Sequence, residues 1–376
     1  MRRQGIPGTT TIAFLALLAL APRAEARQIS DKMRSVLDRA KQASDELRIN
    51  DQQEQELGAA VSERIRARYG VVQDPAVHRY LALVGTVLAQ ASSRPSLPWK
   101  FIVLDTDGVN AFAAPGGYIH VTRGALALVA NEAELAGVIA HELIHVTEKH
   151  TIRALQKGKL VQMGADQANF GKNSEIFRRL VDTSTDVVLA GFGRAEELEA
   201  DQKGIRLANQ VGYAPPPFRD FLARLADRNK AASGKQGLFA SHPEMRERLD
   251  RLTQQIAAEK LSSTATLEGR YHVFVSYKPT EQAAIAVVEE GAAGLTGAKS
   301  QPKTADPKPK KKGFGLSDLL APSSGGTKKS AEVTGSAAAR GVDKELGARG
   351  GAVKTMVAVG VTAQDIAAFK REGHLK

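Results

Sequence analysis

Apolar residues along this chain recur mostly three and four apart, the period of helices that bury one face. Between Ile29 and Arg68 they are Val36, Leu37, Leu47, Leu57, Val61 and Ile65 in a polar background, which predicts one or two helices outside a core. DPAVHRYLALVGTVLAQAS, from Asp74 to Ser92, opens with an Asp cap and a proline in its first turn and predicts a helix. WKFIVLDT and the glycine-bounded GGYIHVTRG break the helical period and read as strands. Asn131 followed by Glu134 has the form of a capping box and opens the next helix. Further helices are predicted from Ile176 to about Leu189, over RAEELEADQKGIRLANQVG up to Gly212, from PPPFRDFLARLADR, and from SHPEMRERLDRLTQQIAAEK with Pro243 in the first turn. YHVFVSY, 271–277, reads as a late strand followed by a helical EQAAIAVVEEG. The pattern is helix-dominated with a small sheet, an α+β fold.

The two ends differ from this core. Arg2 and Arg3, the apolar run Thr11–Ala21 and the AEA ending at Ala26 have the layout of a signal peptide, so residues 1–26 are expected to be cleaved near Ala26. No later segment approaches the roughly 20 apolar residues of a spanning helix, so no membrane span is expected after cleavage. From about 296 to 349 the composition shifts to Lys, Pro, Gly, Ser and Ala, which predicts a disordered linker; the segment 350–376 ends in TAQDIAAFKREGHLK, a short helix. With so few large apolar residues, everything beyond about Glu290 is expected to be dispensable for folding.

The net charge of +11 lies largely in this tail, in KPKPKKKG and TKK. The interleaved aromatic and basic residues of a nucleic-acid groove are missing, which argues against nucleic acid and leaves the basic tail as a candidate contact for a protein partner. With no cysteine in the chain, disulfides and thiolate ligands are excluded, and any metal must be held by His, Asp or Glu.

Candidate chemistry lies in AGVIAHELIHVTEKH. On a helix His141 and His145 project side by side and can share one metal ion, while Glu142, about 100° further round, can reach a water on that ion and take its proton. Zinc suits such a nitrogen and oxygen donor set with an open fourth position. A chance HExxH among eight histidines has a probability on the order of one in a hundred, so a third donor is needed. Glu197 and Asp201, four apart in GFGRAEELEADQKG, form either that donor with a supporting acid or a solvated helix face.

NAFAAPGGYIHVTRGAL, ELAGVIAHELIHVTEKH, GRAEELEADQKG and SHPEMRERL, in this order, closely resemble the zinc metallopeptidase family of HtpX, the CAAX prenyl proteases, the OMA proteases and the BepA-like proteases. The resemblance covers roughly residues 45 to 255. It implies a zincin-like core over 27–295, one Zn2+ per chain held by His141, His145 and Glu197, Glu142 as base and Asp201 as supporting acid. Gly193 departs from the family, which usually has Ser there. The exported, cysteine-free form resembles the periplasmic BepA-like branch, whose helical repeats have no counterpart in this chain. The implied function is a periplasmic endopeptidase acting on misfolded or misassembled envelope proteins. The alternative is a chaperone-like assembly factor with a structural zinc.

Two further site expectations remain, the first from the residues themselves and the second from the resemblance. The turn at Pro115–Gly117 leads into a strand, and Gly117, Tyr118, Ile119 and His120 are expected to form an exposed strand that pairs with an extended substrate. His120 is expected on the substrate side or surface rather than on the metal. His242, in the SHP block, is expected to face the zinc, either as a plug on its open position or as a donor to a developing oxyanion. His150 is read as structural.

Overall fold

The computed structural model describes residues 49–157, 174–230, 245–280 and 353–376. The proposed signal peptide, His242 and the 296–349 linker lie outside the described residues, as does the helical expectation for EQAAIAVVEEG.

Helix α1 (Asp51–Tyr69) is opened by a capping box between Asn50 and Gln53, and α2 (Pro75–Gln90) by Asp74 with Pro75 in its first turn. Three strands follow: β1 (Lys100–Leu104), β2 (Ala111–Ala114) and β3 (Tyr118–Thr122). Their order is β1-β3-β2, with β3 parallel to β1 (Phe101 opposite Ile119) and antiparallel to β2 (Ala113 opposite Ile119). The β2–β3 turn is the short 3-10 helix Pro115–Gly117. Gly116 there has φ 71°, and a Cβ on it would come within 2.7 Å of Gln55 Cα, so both conformation and space demand glycine.

Helices then cover both faces of the sheet. They are α3 (Arg123–Leu128), α4 (Glu132–Thr147), α5 (His150–Lys157), α6 (Glu175–Ala190), α7 (Arg194–Val211), α8 (Pro216–Lys230), α9 (Met245–Ala258), α10 (Glu268–Phe274) and α11 (Ala363–Glu372). Alternation along the strands divides the core. Phe101, Val103, Ala111, Ala113 and Val121 pack with α2, α4, α7 and α8, while Ile102, Leu104, Phe112 and Ala114 pack with α1, α5 and α6. Both faces of the sheet are therefore buried, which is why the strands show no polar alternation. Among the described residues no helix is long and apolar enough to cross a membrane.

Four expectations need correction. Strand β3 is not exposed: it lies between β1 and β2, and Ile119 and His120 are fully buried. Its backbone groups are taken by its two neighbours, so it cannot pair with a substrate. Residues 268–274 form helix α10 rather than a strand, because Tyr271 and Phe274, three apart, both pack against Tyr80. The capping box at α4 is half formed: Asn131 accepts from Glu134 N at 3.0 Å, but the Glu134 carboxylate reaches past Asn131 to Ala130 N at 2.8 Å. Finally, residues 353–376 are not apart from the core as their composition suggests, since Ile366 and Phe369 of α11 are buried in it.

Candidate metal centre

All 16 residues of α4 are buried, including His141, Glu142 and His145. Such a helix accepts polar side chains only where partners satisfy them. Those partners come from α7, which crosses α4 closely because Gly204 has no side chain. A Cβ there would sit 3.0 Å from His141 N. The approach brings Glu197, on the first turn of α7, against both histidines. Glu197 Oε2 is 3.5 Å from His141 Nε2, Oε1 is 3.5 Å from His145 Nε2, and the two Nε2 atoms are 3.0 Å apart. A four-coordinate ion with bonds of about 2.0–2.1 Å needs donors about 3.3 Å apart. The three residues therefore fit a metal such as zinc, and among the described residues they are the group that can hold one.

The outer nitrogen of each histidine has its own support, which fixes the tautomer that turns Nε2 inward. His141 Nδ1 lies 2.9 Å from Asp201 Oδ1. His145 Nδ1 lies 2.7 Å from His150 Nδ1, and His150 Nε2 continues to Glu199 Oε2 at 3.2 Å. Phe192 stacks on the His145 ring with centroids 4.3 Å apart. Asp201 thus lies where a supporting acid is expected, and His150, read from the sequence as structural, lies against the other imidazole. The clue was there: His150 follows His145 at the start of a new helix.

Arg248 was missed altogether. It comes from α9, is 1% exposed, and grips Asp201 through Nε and Nη2, both at 2.7 Å, while its Nη1 reaches Glu197 Oε2 at 3.0 Å. Burial opposes its charge, but Asp201 and Glu197 more than offset that and raise its pKa further, with Glu142 adding to the effect. Burial likewise pushes His141 down, and the bonds to Asp201 and Glu197 reverse this and raise it to about 9. The carboxylates of Asp201 and Glu197 on either side of the ring make this a place that favours positive charge.

His120 is buried on the other side of the sheet from α4, bonded to Ser62 Oγ at 2.9 Å, and burial lowers its pKa to about 3. It is no donor to the metal group. Gly193 caps α7 with no side-chain hydrogen bond, so the absent serine costs a cap and leaves Glu197 in place.

The family model for Peptidase family M48 matches residues 75–256. That stretch resembles Peptidase family M48. The match runs from α2 to α9 and so contains the whole metal group, with α1, α10 and α11 beyond it. The chain is similar to the beta-barrel assembly-enhancing protease of Yersinia pestis, 27% identical over 205 residues, which cover 51% of this chain and 41% of that protein. To its Escherichia coli K12 counterpart it is 26% identical over 254 residues, 64% of this chain and 50% of the relative. It is also similar to the mitochondrial metalloendopeptidase OMA1 of Schizosaccharomyces pombe, 26% identical over 207 residues, 54% of this chain and 60% of that one. The M48-like stretch here thus sits in a chain that spans about half the length of the first two relatives.

Proposed function

We propose that the protein is a zinc-dependent metalloendopeptidase of the periplasm that hydrolyses misfolded or misassembled envelope proteins. The observation that carries this is the buried His141–His145–Glu197 group, with Glu142 buried in the same helix as the residue after His141. When bound, zinc would supply Lewis acidity toward a peptide carbonyl and a water. Glu142 takes the proton that the water loses and returns it to the leaving amine. Asp201 and His150 hold the two imidazoles, and Arg248 holds Glu197 and Asp201 in place.

The substrate strand shifts from β3 to β2. Among the described residues the outer side of β1 is taken by Val71 and Val72, which leaves β2 as the unpaired edge of the sheet. Ala113 and Pro115 line the same small space as His145. An extended peptide added to β2 would lie beside the metal group. The envelope substrate class and periplasmic location are supported by the signal-peptide-like layout of residues 1–26 and by the similarity to two bacterial proteins named beta-barrel assembly-enhancing proteases. A chaperone-like factor with a structural zinc would have no use for Glu142.

Metal analysis of the purified protein together with casein digestion, with and without chelator, tests the reading. Glu142→Gln is expected to keep its zinc and lose turnover by about 10² to 10⁴. Equal turnover by that variant would overturn the mechanism.

A further inference from the structure

Residues 353–376 return to the domain and hold it at three places. An extended arm comes first: Val71 N donates to Val353 O at 2.7 Å, Arg66 Nη1 to Lys354 O at 2.6 Å and Gln73 Nε2 to Thr355 O at 3.2 Å. Helix α11 follows, opened by a capping box at Thr362 and Asp365, with Asp365 paired to Arg79 of α2 at 2.7 Å. Its Ile366 and Phe369, three apart on one face, are each 5% exposed. The stretch then ends on α7, where Lys376 N donates to Val211 O at 2.7 Å and Leu375 packs on Gly212.

Two of these contacts meet the helices that carry the metal donors, at the ends remote from those donors. The Phe369 ring lies 3.8 Å under the Arg270 guanidinium, and Arg270 Nη1 donates to Phe369 O at 2.8 Å. The same guanidinium bonds Glu132 through Nε at 2.7 Å. Glu132, fully buried on the first turn of α4, also accepts from Tyr80 at 2.8 Å and Tyr213 at 2.7 Å. From Glu132 to His141 is nine residues, or about 13 Å of helix. Val211, held by Lys376, closes the other donor-bearing helix, α7.

We propose that residues 353–376 act as a clasp in cis, docking on the surface made by α2, α10 and the end of α7 and fixing how α4 and α7 sit against each other. The surface recognises an amphipathic helix with an apolar pair three residues apart, an acidic first turn and an extended arm before it. Because α10 and α11 both lie beyond the stretch that resembles Peptidase family M48, the clasp is a feature of this chain and does not depend on its chemistry being peptidase chemistry.

The test uses the full chain with a specific protease site inserted between Gly325 and Gly326. After cleavage the C-terminal fragment is expected to co-elute with the remainder on gel filtration. Phe369→Asp should release it, raise amide exchange about tenfold or more at 133–136 of α4 and 208–211 of α7, and weaken zinc binding in a chelator competition. Asp365→Arg, a milder change, should also favour release, and Arg79→Asp in the same chain should restore retention. A cleaved wild-type fragment that separates freely would overturn the clasp. Release that leaves exchange in α4 and α7 unchanged would overturn the fixing of the two helices.

Discussion

Helices α4 and α7 supply the metal group together, yet they are built in opposite ways. The first is buried along its whole length, with Glu132 and Glu134 in its first turn and His141, Glu142 and His145 as polar residues within its apolar middle. The second buries 8 of its 18 residues and presents Glu197 and Asp201 as part of an otherwise charged helix. On α4 the cost of burying polar groups singles out each of them as a group that needs partners, whether structural as at Glu132 or at the metal-binding candidate as at His141 and His145. On α7 nothing in the local pattern separates the donor from solvated neighbours such as Glu196. Burial of α7's carboxylates depends instead on a residue from a third helix, Arg248.

Removing that residue should break the comparison most severely. Arg248→Ala leaves Glu197 and Asp201 buried without their cation, and losing one partner of a buried ion pair typically costs about 3–5 kcal/mol. The expected result is a marked loss of stability in thermal or denaturant melting, largest in chelator and partly recovered when zinc is added, because zinc restores positive charge beside the same carboxylates. Equal loss with and without zinc would mean that Arg248 acts only through packing.

The same contrast explains what could be read from the sequence. His141, Glu142 and His145 were legible because their spacing is helical and their surroundings apolar. Glu197 was legible only through the ordered blocks of the family, since an acidic stripe on a helix has two equally good readings. Arg248 was not legible: it stands in MRERLDR beside Arg246 and Arg251, and nothing local distinguishes the buried arginine from two exposed ones. Strand β2 was passed over because AFAA is short, made mostly of small residues and buried on both sides, so it has no alternation to detect. Residues 271–277 looked like a strand from their aromatic and β-branched content, and tertiary contacts with Tyr80 decided otherwise. The C-terminal segment was undervalued because mean composition hides two well-placed residues, Ile366 and Phe369.

A change on the α4 side sharpens the comparison at smaller cost. His141 leans on Asp201, an anion with its own arginine, whereas His145 leans on a neutral-range imidazole whose pKa burial lowers, with Glu199 behind it. His150→Ala removes the acceptor for His145 Nδ1–H, and loss of such an outer partner typically weakens metal binding 10- to 100-fold. Chelator competition should show that loss with little change in melting. Unchanged zinc affinity would mean that His145 keeps its orientation from Phe192 stacking alone.

The smallest expected effect lies where the two helices touch. Gly204→Ala places a methyl 3.0 Å from His141 N and 3.2 Å from Ala140 C and His141 Cα. These are backbone atoms within a packed helix, so α7 must move off by a few tenths of an ångström. Overpacking of this kind costs about 1–3 kcal/mol. Against that, alanine in a helix interior is favoured over glycine by about 1 kcal/mol. The net change in stability is therefore small, at most about 2 kcal/mol. Donor geometry has no such compensation: any shift of α7 carries Glu197 away from the two Nε2 atoms it now meets at 3.5 Å. Gly204→Ala should accordingly weaken zinc binding more than it lowers the melting temperature, and Gly204→Val should exaggerate both. An alanine variant that melts higher and binds zinc as before would show that the helices have slack at this contact, and that Glu197 is placed by Arg248 rather than by the close approach of α7.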